Sequence, residues 1–178
     1  MKRTLLAISA ASALGAAMFA TNAMAADGTI TITGLIQATT CAVGVNGTAS
    51  GDATVALPTV ANTSLAAANA KAGLTPFTIK LTGASCTNGA AAKATFDGGD
   101  INYATGRLTN GAGTASLVEV GLVNGDGTDI TIGDLTTIKG ATIASNAATL
   151  GYGAQYVATG AATAGTVNSK VTYSIVYN

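Results

Sequence analysis

Histidine is absent from all 178 residues. Imidazole is the usual general base at neutral pH and the usual partner of a nucleophilic side chain, so triad chemistry has no proton carrier here. Carboxylates offer little in its place. Glu119 is the only glutamate, alone on an alternating run between Val118 and Val120, and it reads as outward-facing and solvated. Asp27, Asp52, Asp97, Asp100, Asp126, Asp129 and Asp134 all lie beside Gly or Thr, the setting of turn caps. No catalytic residue is expected.

Charge is scarce too. Only 9% of residues are charged, eight basic against eight acidic. Nucleic-acid binding needs a basic face to neutralise phosphates, and so few scattered cations make none. Lys and Glu, which populate exposed helices, are rare. Helical periodicity is weak and confined to Ser64–Ala72, which suggests a single short turn. Metal-ligand groupings are missing as well. Asn124-Gly125-Asp126-Gly127-Thr128-Asp129 resembles a calcium loop but lacks the closing bidentate Glu. The two cysteines have no ligating neighbours. No metal or cofactor is expected. Tyr152, Tyr156, Tyr173 and Tyr177 read as core or interface residues with a polar tip.

Residues 1–25 have the pattern of a cleaved secretory leader. Lys2 and Arg3 precede an apolar, uncharged stretch from Thr4 to Ala20, and Ala23-Met24-Ala25 is a small-x-small cleavage site. The expected mature chain, 26–178, carries six basic and eight acidic residues, a net of −2. It holds no further run long and apolar enough to cross a bilayer, so no membrane insertion is expected. Secretion places Cys41 and Cys86 in an oxidising compartment, where an even pair reads as a disulfide. Closing a loop of about 46 residues restricts the unfolded chain by roughly 4 kcal/mol.

What remains is Gly, Ala and Thr with Val and Ile in alternation, cut by Gly and Asn. That pattern predicts one all-β domain. Expected strands are 35–43, 54–57, 77–81, 93–96, 116–123, 150–158 and 171–177. Pro58 marks 54–57 as an edge. Ile130 and Ile132 either begin a strand or staple a loop, and 133–148 reads as a long surface excursion.

Two stretches frame the chain. Gly28-Thr29-Ile30-Thr31-Ile32-Thr33-Gly34-Leu35-Ile36 alternates with period two, so Gly28, Ile30, Ile32, Gly34 and Ile36 share one face. A β-branched strand in that position must find a sheet, in its own fold or in another molecule. At the other end, Val171, Tyr173, Ile175 and Tyr177 share a face of the last strand. One residue, Asn178, follows, too little to cover that strand's free side. The two stretches together fit strand donation between molecules, in which main-chain bonds give affinity and alternate side chains give specificity.

These motifs, with Phe77-Thr78-Ile79-Lys80-Leu81 ahead of Cys86, the run Gln155–Gly165 and the penultimate Tyr177, resemble the major subunit of type 1-like fimbriae, in the chaperone–usher pilin family. The resemblance covers essentially the whole mature chain. It implies an incomplete immunoglobulin-like β-sandwich that lacks its last strand and is completed by a donated N-terminal strand from the neighbouring subunit. It divides the chain into a leader (1–25), a donor extension (26–34) and a pilin domain (35–178). Ile30 and Ile32 would fill central pockets, Gly34 would pass a constriction, and Ile36 would enter the outermost pocket. Val171, Tyr173, Ile175 and Tyr177 would line the acceptor groove, and basic residues of the chaperone would hold the Asn178 carboxylate. The implied partners are identical subunits in a helical filament, a periplasmic pilus chaperone and an outer-membrane usher. The implied route runs through the periplasm to a cell-surface fimbria serving adhesion. The rival readings are a minor or adaptor subunit and a monomeric secreted carbohydrate-binding sandwich.

Overall fold

A computed structural model describes residues 41–177. The leader, the alternating run 28–36 and Asn178 lie outside the described residues. Ten strands occur among those described: β1 (Ala42–Val45), β2 (Lys71–Thr82), β3 (Ala91–Gly99), β4 (Ile101–Asn102), β5 (Arg107–Thr109), β6 (Val118–Asn124), β7 (Asp129–Ile130), β8 (Ala141–Thr142), β9 (Ala147–Ala158) and β10 (Val171–Tyr177). They form two sheets. The larger runs β1-β2-β9-β6-β5-β4, with β7 also paired to β6. The smaller runs β10-β3-β8. All the pairings are antiparallel.

Alternation dictates which side chains meet. In β2, Ile79 and Leu81 turn inward and are buried, while Thr78 and Lys80 are exposed. Leu150 and Tyr152 of β9, Leu122 of β6, and Ala94 and Phe96 of β3 complete the layer between the sheets. Leu65, Val118, Ala158 and Ala162 form a second buried cluster. Pro76 is tolerated inside the long β2 because β1 covers only Ile79–Thr82. At Pro76 the strand pairs with β9 alone, so its missing N–H takes no bond from the ladder.

Tyr152 joins the two sheets. Its ring meets Phe96 edge-on at 5.4 Å, with an interplanar angle of 82°, and lies 5.9 Å from Phe77. Its hydroxyl accepts from the Ala94 N–H at 3.0 Å and donates to the Lys139 carbonyl at 3.0 Å. β8 pairs only with Ala91 and Ala92, so Ala94 lies beyond the reach of that ladder, and the phenol meets the N–H there instead. The structure also joins Cys41 to Cys86, whose Cα atoms lie 5.0 Å apart, tying the start of β1 to the loop after β2.

Several expectations need correction. Residues 54–57 form no strand. Val55 and Leu57 do alternate and pack on the core, but no described strand runs alongside to bond with them. The span 133–148 is no surface excursion. It buries Ile138, Ile143 and Ala148 singly, without a period, and contains β8. The short turn is a 3-10 helix at Asn62–Leu65 rather than at 64–72. Strand 116–123 starts at Val118, because Leu117 takes φ 58°. Strands β4, β5 and β8, two or three residues each, are too short to carry a pattern.

Glu119 is buried, not solvated. Its Oε1 accepts from Asn102 Nδ2 at 2.7 Å and from Thr105 Oγ1 at 3.2 Å, and Arg107 lies 3.7 Å from Oε2. The β4–β5 hairpin extends the sheet beside β6, and its Asn102, Thr105 and Arg107 side chains close around the Glu119 carboxylate. Asp126 and Asp134 cap turns as expected, through Thr128 and Thr136. Asp129 instead pairs with Lys71 at 2.6 Å.

Replacing Tyr152 with Phe keeps the packing but leaves the Ala94 N–H unbonded, so urea unfolding should show a loss of about 1–3 kcal/mol. Burial raises the Tyr152 pKa, an effect partly offset by the Ala94 bond. The unfolded chain therefore ionises first, and stability falls as pH rises above about 10. The Phe variant should show a shallower alkaline loss.

Candidate functional site

β10 is the edge strand of the smaller sheet. It pairs with β3 from Val171↔Gly99 to Tyr177↔Ala92, with a bulge between Thr172 and Tyr173. Among the described residues nothing pairs with its other side. Val171, Tyr173, Ile175 and Tyr177 face inward and pack against the core, yet each is only half-buried. The corresponding inward residues of β3, Ala92, Ala94 and Phe96, are fully buried. The two strands share a layer. The difference is the missing neighbour.

The chain from Cys41 to Val60 forms the facing wall. Tyr177 stands beside the Cys41 backbone, and the Tyr173 hydroxyl donates to the Gly51 carbonyl at 2.7 Å. Further on, Thr59 and Val60 share a cavity of about 410 Å³ with Val167, ahead of β10. The wall thus runs antiparallel to β10. It begins as β1, the edge of the larger sheet, and continues as the extended segment 51–60. Asn46 and Gly47, both with positive φ (51° and 80°), turn the chain between the two parts. Gly44 permits the return, since a Cβ there would lie 2.1 Å from the Thr48 carbonyl oxygen.

Val43, Val55 and Leu57 reach inward from this wall and are likewise half-buried. No backbone hydrogen bond among the described residues joins 53–60 to β10. The result is a cleft with an apolar floor and two walls that carry main-chain donors and acceptors. Burial raises the Tyr173 pKa, helped by the nearby Asp52 charge, and burial also raises that of Tyr177. Both phenols therefore stay neutral to a higher pH than an ordinary tyrosine.

The structure thus brings together four of the expected groove residues, Val171, Tyr173, Ile175 and Tyr177. Asn178 and the donor positions Gly28, Ile30, Ile32, Gly34 and Ile36 lie outside the described residues. Sequence reasoning missed the opposite wall, Gly51 through Leu57. Its one signal was the alternation of Val55 and Leu57, read as a strand in its own right. Among the described residues no group of His, Cys, Asp or Glu could hold a metal. In the calcium-like turn, Lys139 and Thr128 engage the Asp126 carboxylate and hold its pKa well below the ordinary range. No described helix is long and apolar enough to cross a membrane.

A family model described as type-1 fimbrial protein, A (FimA), matches residues 57–178. The chain belongs to the type-1 fimbrial protein family. The F17 fimbrial protein of Escherichia coli is 44% identical over 163 residues, covering 86% of this chain and 89% of the relative. The major fimbrial subunit SMF-1 of Stenotrophomonas maltophilia is 39% identical, covering 93% and 99%. The fold matches the P pilus rod subunit PapA, with a TM-score of 0.56 at 14% identity over 77% of this chain and 99% of that one. It also matches a chain from a chaperone–usher pilus, with a TM-score of 0.57 at 14% identity over 86% and 96%. The fold is the incomplete immunoglobulin-like sandwich of pilus subunits. The type-1 fimbrial chain is a structural subunit of the major kind and not an enzyme. Such subunits polymerise into fimbrial filaments at the cell surface.

The half-covered floor has a measurable consequence. Leu81→Ala, at a fully buried site, should cost the subunit about 2–5 kcal/mol. Ile175→Ala should cost about 1 kcal/mol, because much of its surface already meets water. Denaturant midpoints of the two variants give the comparison.

Proposed function

We propose that the cleft between β10 and residues 41–60 accepts residues 28–36 of a neighbouring copy, and that head-to-tail repetition of this contact builds the rod. The half-burial of Val171, Tyr173, Ile175 and Tyr177 at an edge that pairs with no other described strand carries the reading. An extended strand laid there meets unpaired main-chain groups along β10 and places alternate side chains on the apolar floor. The run 28–36 has the required period. Ile30 and Ile32 enter the central pockets, Gly34 passes the constriction, and Ile36 takes the outermost pocket. Each Ile removed from water contributes roughly 1.5–3 kcal/mol. Donor and acceptor are different surfaces of one molecule, so the contact does not close on itself and a filament grows.

The same cleft makes the lone subunit hazardous, because an open apolar edge pairs with whatever strand it meets. In this reading residues 1–25 direct export to the periplasm. There a pilus chaperone covers the edge of β10 and holds the Asn178 carboxylate, and an outer-membrane usher exchanges it for the next subunit's extension. The fibre then serves adhesion. The monomeric carbohydrate-binding alternative puts residues 28–36 back into the chain's own cleft and predicts no filament.

Deleting residues 27–34 separates the two. Electron microscopy of cells bearing the deletion should show no thin surface filaments, while the subunit persists in the periplasm bound to its chaperone. Intact filaments would overturn the proposal. Gly34→Asn should likewise block exchange and leave chaperone binding unchanged, read by the same images and by co-purification.

A further inference from the structure

The far wall of the cleft has an unusual support. Residues 51–60 are extended but form no ladder with any described strand. They are held by Val55 and Leu57, both half-buried, and by a hydrogen bond from Tyr173 to the Gly51 carbonyl. That bond joins residues 122 apart in sequence. It starts on one wall and ends on the other. Among the described residues it is the only hydrogen bond between β10 and this segment. Thr48 and Ser50 bond within the preceding turn, so that turn is ordered up to the point where the segment departs. The Asp52 N–H bonds back to Ser50 Oγ at 3.1 Å, and beyond Asp52 the segment has no further polar tie among the described residues until Ser64 bonds back to Ala61.

We infer that Tyr173 is a positioning residue that sets the distance between the two walls, so that an incoming strand finds both at bonding range. This rests on the strand-accepting reading above. The ring lies on the floor of the cleft, within the layer of inward side chains. An incoming strand runs beside β10 and over the ring, so the bond need not break. Removing the hydroxyl frees residues 51–57 to drift, and an entering strand must then order that wall as it binds. The cost falls on the rate of capture and not on the fold as a whole. Burial of the ring and the nearby Asp52 charge raise the Tyr173 pKa, so the phenol stays a donor further into the alkaline range than an ordinary tyrosine.

The test uses the mature chain purified with its chaperone, in wild-type, Tyr173→Phe and Ile175→Ala forms. The probe is a fluorescent synthetic peptide of residues 26–38, with uptake followed by anisotropy and wall mobility by hydrogen exchange. Tyr173→Phe should slow uptake on the order of tenfold and raise exchange at 51–57, with protection in β2, β6 and β9 unchanged. Ile175→Ala trims the same floor without touching the bond, and it should leave exchange at 51–57 as in wild type. Three results would overturn the inference: unchanged uptake in Tyr173→Phe, protection lost evenly across the sheets, or equal loosening of 51–57 by Ile175→Ala. A wild-type chain that takes up no peptide would instead defeat the strand-accepting reading itself, and the role of Tyr173 with it.

Discussion

A strand in a sandwich needs a partner on each side and a covered inner face, and among the described residues β10 has only one of the two partners. The rest of the molecule is arranged around that shortage. β3 holds one side of β10 through seven residue pairs. The other side opens onto a cleft whose floor is the inner face of β10 itself. Four inward side chains sit there half in water, although residues one strand away in the same layer are dry. An exposed apolar floor of this kind is costly in a lone molecule and useful in an assembling one.

The parts of the fold remote from the cleft supply the stability that the cleft does not. β2 and β9, twelve residues each, form the longest pairing, and β6 lies fully buried beside β9. Tyr152 bonds one sheet to the other, and Glu119 ties the β4–β5 hairpin to β6 beside it. The disulfide fixes Cys41, the first residue of the far wall, against the core. The cleft is therefore bounded at one end by a covalent tie. Further along, one phenolic hydrogen bond joins its walls.

Periodicity was informative wherever a strand was long and one face was wet. β2, β9 and β10 were legible because polar and apolar residues alternate over many positions. β4, β5 and β8 were not, since two or three residues hold no period. Glu119 was misread for a related reason. Alternation places a residue on one face of a sheet but says nothing of which side chains from neighbouring strands close around it. The side chains that bury Glu119, those of Asn102, Thr105 and Arg107, belong to the hairpin 101–109 and are brought there only by pairing. Residues 54–57 illustrate the converse. Their alternation is real and their inward contacts exist, but a ladder needs a neighbour.

Composition alone excluded histidine-based catalysis and a phosphate-binding face, and alternation alone marked the groove face of β10. Those conclusions depend only on which residues are present and on a period of two, and both are local. The tertiary structure decided that β10 lies at an edge among the described strands, that residues 41–60 stand opposite it, and that Tyr173 meets Gly51. These are contacts between segments more than a hundred residues apart. No local pattern encodes them, because they follow from how the two sheets close on one another.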